Sequence, residues 1–173
     1  MSNGIAWDIG LASFGAVVVG AGTRTVRHVS VFSSIPESHQ NWRIADDLTR
    51  RTRELARWLR DLVVMWAPAF AISEALPFFD DVKPQTFVCL GYGALCAEME
   101  RNLIPMVTVG PRTWRKAICG ESNEELAHQA AMMMFPSYAA KELEVHPNHW
   151  VHARDALGVY AWGEKCGITR GYK

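Results

Sequence analysis

Net charge is what this sequence most plainly lacks: 18 Lys and Arg stand against 18 Asp and Glu, and the formal sum at pH 7 is zero. A surface basic all round is therefore excluded, and any nucleic-acid contact has to be a local patch. Long apolar runs are missing too. None reaches the roughly 18 to 20 residues of a membrane span, and the opening MSNGIAWDIG has neither the basic start nor the small-residue cleavage site of a secretory leader. Cysteine is sparse. Cys89, Cys96, Cys119 and Cys166 form no C-x-x-C or C-x-x-H pair, which excludes a zinc site of the usual spacing, and three of them lie in apolar stretches where thiols act as small hydrophobes. A reduced, cytoplasmic protein with no membrane partner is the expectation.

What is present is ordinary globular material. The 173 residues are 49% hydrophobic and 21% charged, which predicts one compact domain over 1–173 with enough apolar side chains for a core. No repeat, low-complexity tract or linker divides the chain.

Ile5 to Trp7, Phe14 to Val19 and Val26 to Phe32 are β-rich segments separated by Gly10, by Gly20 to Gly22 and by Ser33-Ser34, which predicts three strands in an antiparallel meander. From Asn41 to Trp66 apolar residues recur at three and four, giving a long amphipathic helix stopped by Pro68. Phe70 to Glu74 reads as a strand and the Pro77 to Pro84 stretch as a loop. A helix over 85–103, a strand over 104–109 and a helix opened by a Ser122-Asn-Glu-Glu125 capping box follow. Residues 137–148 read as loop, Trp150 to Trp162 as a last helix, and the segment after Gly163 as a ragged tail. Arg50, Arg51, Arg53, Arg57 and Arg60 read as a solvated helix face. Met132 to Met134 read as core or interface filling. Three meander strands followed by strands alternating with helices imply an α/β fold, a mixed five-stranded sheet with two parallel strands added to the meander and helices flanking it.

Four ionisable residues sit awkwardly in that scheme. Asp8 interrupts an apolar strand, Glu74 ends the fourth strand, and His152 and Asp155 lie three apart on the last helix beside Ala153, Ala156 and Leu157. Charges in such places need partners. The first and fourth strands are expected to be central neighbours, so Asp8 and Glu74 converge at one end and the helix delivers His152 and Asp155 from across. Clustered carboxylates raise one another's pKa unless a cation lies between them. An oxygen-rich set with one imidazole suits Mg²⁺ or Mn²⁺, and two such ions can flank a phosphodiester during hydrolysis.

Gly4-Ile-Ala-Trp-Asp8-Ile-Gly10 with the following Ser13-Phe-Gly-Ala-Val-Val resembles the opening motif of the RuvC-type nucleases. Ala71-Ile-Ser-Glu74 resembles their second motif, and His152-Ala-Arg-Asp155-Ala-Leu their third, in the family's order and over nearly the whole chain. The chain is similar to the Holliday-junction resolvases of that family, and its small size and neutral charge suggest a phage version. The resemblance implies a ribonuclease-H-like fold and a metal-dependent endonuclease that nicks four-way junctions symmetrically as a homodimer, with no small-molecule cofactor. It assigns Asp8, Glu74, His152 and Asp155 as catalytic metal ligands. It places Phe78 or Phe79 as a wedge at the branch point, the rival reading being a loop anchor or dimer contact. Arg112, Arg115 and Lys116 become phosphate contacts, against the plainer reading of a solvated turn. One departure stands out: Glu124 and Glu125 occupy the start of a helix where the resolvases often carry lysine. Two rival functions share the fold, a relaxed nuclease of flaps or forks and a non-cleaving branched-DNA-binding module. An ATPase of the actin and sugar-kinase type is disfavoured by the lack of a second phosphate loop and of length for two lobes.

Overall fold

The structure, a computed structural model, describes residues 2–9, 13–35, 44–76 and 82–172. Phe78 and Phe79 lie outside the described residues. Strands β1 (Asn3–Ile9), β2 (Ser13–Gly20) and β3 (Thr25–Ser33) form the antiparallel meander. Helix α1 (Ile44–Trp66) then crosses to β4 (Pro68–Glu74), which pairs parallel to β1, and α2 (Val82–Arg101) leads to β5 (Met106–Val109), parallel to β4. The sheet order is β3-β2-β1-β4-β5, the mixed five-stranded sheet expected from the element sequence.

Both faces of the sheet are covered, which is why β1, β2 and β4 read as nearly unbroken apolar runs. The strand alternation sorts them. Ile5, Trp7 and Ile9 of β1 point to α1 and α2 and pack with Leu55, Leu59, Leu62 and Leu95. Ala6 points the other way, into a core with Ala153, Ala156, Leu157 and Tyr160. Asp8, two residues on from Ala6, shares that second face. Asp46 and Asp47 in the first turn of α1 complement its dipole, and the helix ends at Ala67, whose φ of 42° turns the chain before Pro68.

The second face is built by α3 (Pro111–Cys119), α4 (Glu124–Met134), α5 (Tyr138–Glu142) and α6 (Trp150–Lys165), with a 3-10 turn at Pro147–His149 and another at Ile168–Tyr172. Several of these differ from the sequence reading. Residues 111–119, assigned no element from the sequence, are a helix with Pro111 at its start and Gly120 closing it at a φ of 91°. Asn123, not Ser122, caps α4 by accepting from Leu126 N–H at 3.1 Å. The stretch read as loop contains α5. The tail after Gly163 is not ragged: α6 runs to Lys165, and Tyr172 stacks on Phe70 with centroids 4.7 Å apart. Arg51 is not solvated either. It lies in line with Leu55 and Leu59 on the buried face of α1 and donates from Nε to Ser34 Oγ at 2.7 Å. Cys89 and Cys166 are exposed, and Cys96 and Cys119 half-buried. Among the described residues no helix is long and apolar enough to cross a membrane.

Candidate active site

Asp8 and Glu74 stand at the carboxyl ends of two adjacent parallel strands. Trp7 pairs with Ser73 in register, so the next residues, Asp8 and Glu74, lie side by side and project to the face carrying α6. In open α/β sheets this is where ligands collect. Helix α6 crosses that end closely because Gly15, opposite Asp8 in the β1–β2 pairing, leaves its backbone room: a Cβ there would lie 2.1 Å from the His152 carbonyl oxygen. The close approach brings His152 Nδ1 to 2.7 Å from Asp8 Oδ2. Asp155, three residues on and on the same helix face, is near enough to act electrostatically on both Asp8 and Glu74. The four residues singled out in the sequence are thus gathered at one end of the sheet.

Helices α3 and α4 complete the surroundings. Trp114, fully buried on α3, donates from Nε1 to Glu74 Oε2 at 2.7 Å. His128, buried on α4, donates from Nε2 to Asp155 Oδ1 at 2.8 Å. Arg115 Nη2 is 2.7 Å from Glu124 Oε2 and 3.7 Å from Asp155 Oδ1. Its phosphate role is therefore in competition with an ion pair, and the partner is the acidic residue that replaces the expected lysine. Arg112 and Lys116 are exposed on the opposite side of α3, where they line a shallow depression with Thr113 and Ala117.

Trp114 and His128 are the residues sequence reasoning missed. A heptad-like signal was available, since Pro111, Trp114, Ile118 and Gly120 mark the start, buried stripe and end of a short helix. No local signal identified His128, whose partner lies 27 residues away.

Burial dominates the electrostatics. Desolvation, followed by repulsion from Asp8, pushes the Glu74 carboxyl up to about 8. Desolvation likewise raises Asp8 to about 6, against the lowering effect of its hydrogen bond to His152. That same hydrogen bond raises the His152 imidazole. Asp8 and Glu74 therefore hold their protons more tightly than free carboxyls do, because each lost proton leaves poorly compensated negative charge out of water. A divalent cation relieves the same strain, and the donor set, three carboxylates and one imidazole, fits Mg²⁺ or Mn²⁺. Among the described residues, the group of three ligand atoms that lie within 4.8 Å of one another is that of Glu124, His128 and Asp155, a set that does not include Asp8, Glu74 or His152. There, however, the guanidinium of Arg115 already lies against both carboxylates.

No protein-family model matches the sequence, and a search of curated proteins finds no match. Solved structures do match in shape. Thermus thermophilus RuvC in complex with a Holliday junction substrate superposes with a TM-score of 0.76 at 15% identity, covering 97% of this chain and 96% of that one. A second Thermus thermophilus RuvC structure gives a TM-score of 0.71 at 15% identity, over 95% and 96% of the two chains. The yeast mitochondrial Holliday junction resolvase gives 0.64 at 15%, over 99% and 81%. Agreement at this level over the whole length, with so little identity, is agreement in backbone architecture, and the chain carries the ribonuclease-H-like fold of the RuvC Holliday junction resolvases.

Proposed function

We propose that this protein is a divalent-metal-dependent endonuclease that resolves four-way DNA junctions by paired symmetric nicks. The observation that carries the reading is the meeting of Asp8, Glu74, His152 and Asp155 at one strand end of a RuvC-like fold. Asp8, Glu74 and Asp155, with His152, would hold the ions, two Mg²⁺ or Mn²⁺ per site. When bound, these ions supply Lewis acidity and charge neutralisation to phosphodiester hydrolysis.

The chain's own residues prepare that chemistry. Burial keeps the Asp8 and Glu74 carboxylates poorly solvated and so ready to exchange protons for a stronger cation. His152 holds Asp8 in one orientation through its Nδ1 contact. Arg112 and Lys116, exposed on α3, are placed to meet phosphates, and Phe78 or Phe79 would wedge at the branch point. Two-fold symmetry is a requirement of the task, because one metal site per chain makes one nick and resolution needs two. A homodimer meets it.

A second reading has a specific observation behind it. Glu124 pairs with Arg115, withdrawing one cation from the DNA side, which suits a less demanding substrate such as a flap or fork. A synthetic immobile junction, a flap, a fork and a plain duplex are incubated with Mn²⁺, and the cut positions mapped on every strand. Symmetric nicks in the junction, lost in Asp8→Asn, are expected. Faster cutting of flaps or forks would transfer the assignment to the second reading, and cutting by Asp8→Asn equal to that of the unaltered protein would overturn the site. Binding of the junction without cutting in Mg²⁺ or Mn²⁺ would make the protein a recognition module.

A further inference from the structure

Two buried aromatic side chains, from different helices, each hold one carboxylate of the site. Trp114 gives its side-chain N–H to Glu74 Oε2 at 2.7 Å, and His128 gives Nε2–H to Asp155 Oδ1 at 2.8 Å. The two rings are stacked, with centroids 6.2 Å apart and planes 20° from parallel. Gly158, three residues after Asp155 on α6, seats Trp114 against the helix: a Cβ at 158 would lie 2.4 Å from Trp114 Cζ3. The strand-end carboxylate and the helix carboxylate are therefore referenced to one rigid object, wedged between α3, α4 and α6.

We propose that the stacked Trp114–His128 pair is a positioning device, which fixes the orientation of Glu74 and Asp155 so that one oxygen of each remains directed to a shared cation. It rests on the metal-site reading above and extends it to two residues whose side-chain N–H groups are engaged by Glu74 and Asp155. The reasoning is geometric. A carboxylate on a free torsion presents its oxygens over a wide arc, and ordering it costs entropy when the ion binds. An N–H donor on one oxygen removes that freedom beforehand and leaves the second oxygen for the cation. Core filling alone would not require the donors. A phenylalanine in either place supplies an aromatic ring of comparable bulk, whereas only an indole or imidazole supplies a ring and an N–H together. Asp155 Oδ1 accepts from His128, with the Arg115 guanidinium a charge neighbour at 3.7 Å.

The test separates the ring from the N–H. Trp114→Phe and His128→Phe remove the donors and keep an aromatic ring, while His128→Gln restores a donor at the Nε2 position without the ring. Free Mn²⁺ is counted by electron paramagnetic resonance during titration of each metal-free protein, with no DNA present, and Tm is recorded in EDTA. Each Phe variant is expected to bind Mn²⁺ about 10- to 100-fold more weakly, with His128→Gln recovering part of the loss. Asp8→Asn serves as the reference for the site itself. If Asp8→Asn loses Mn²⁺ and both Phe variants bind as the unaltered protein does, the positioning role is overturned and the metal site stands. If Asp8→Asn binds as well as the unaltered protein, the metal-site reading fails. Should a Phe variant fail to fold, the other decides, since the two donors act on different carboxylates.

Discussion

Gly15→Ala is the smallest change that tests how the site is assembled. Gly15 lies opposite Asp8 in the sheet, and the added methyl would lie 2.1 Å from the His152 carbonyl oxygen and 2.6 Å from its carbon. Ordinary contact begins at 3.4 Å, so α6 and β2 must part by about 1.3 Å, the difference between 3.4 and 2.1 Å. Backbone atoms on both sides leave no rotamer to absorb it. His152 Nδ1, now 2.7 Å from Asp8 Oδ2, would move beyond hydrogen-bond reach, and Asp155 would move with the helix. A displacement of about 1 Å costs on the order of 100-fold in rate, and overpacking costs about 1–3 kcal/mol of stability. Gly163→Ala is the control on the same helix. Its Cβ would also lie 2.1 Å from a neighbour, but that neighbour is Ile72 Cδ1, the end of a flexible side chain. The assay is the junction-nicking rate at saturating Mn²⁺ with Tm measured alongside. A Gly15→Ala protein that nicks within about twofold of the unaltered rate, on a substrate it binds normally, would refute the claim that the close approach of α6 assembles the site.

Four further outcomes follow from the same geometry. In EDTA, stability falls as pH rises from about 4 to about 8: the folded carboxyls of Asp8 and Glu74 titrate near 6 and 8, above their unfolded values, so their contribution is complete at low pH and lost upward through those values. The raised His152 acts with the same sign; thermal melts of Glu74→Gln should show a flatter fall, and an unchanged slope would contradict the assignment. Mg²⁺ should raise Tm more at the alkaline end of that window, where it competes with fewer protons, and a gain independent of pH would count against binding at these carboxylates. Arg112→Ala and Lys116→Ala should weaken junction binding and reduce the salt slope by about one each, whereas Glu124→Gln, by releasing Arg115, should strengthen binding; affinities measured across a salt series check both. Phe78→Ala and Phe79→Ala should slow junction resolution more than nicking of simple strands, and equal losses on both substrates would remove the wedge.

Much of this was legible along the chain because the awkward residues were awkward for a physical reason. Asp8 is the only charge in β1, and a strand buried on both faces tolerates a carboxylate only at an end with partners. Glu74 likewise ends β4, and the spacing of His152 and Asp155 set both on one face of α6. Elements too short for their period to show were missed: α3 has 9 residues and α5 has 5. Arg51 was misread because a basic run was treated as one face, although its position four before Leu55 puts it on the buried stripe. Trp114 and His128 escaped for a deeper reason. Their partners, 40 and 27 residues away, are set by how α3 and α4 dock on α6, and no local pattern encodes that docking. The pairing of Glu124 with Arg115 is of the same kind: the sequence showed an acid where a lysine was expected, and only the fold showed which base it neutralises.

The most direct measurement is an anomalous difference map from crystals of the protein soaked in Mn²⁺. Density among the carboxylates of Asp8, Glu74 and Asp155, absent in crystals of Asp8→Asn, is the predicted result. Manganese bound only elsewhere, or retained at full strength by Asp8→Asn, would contradict a metal centre at this end of the sheet.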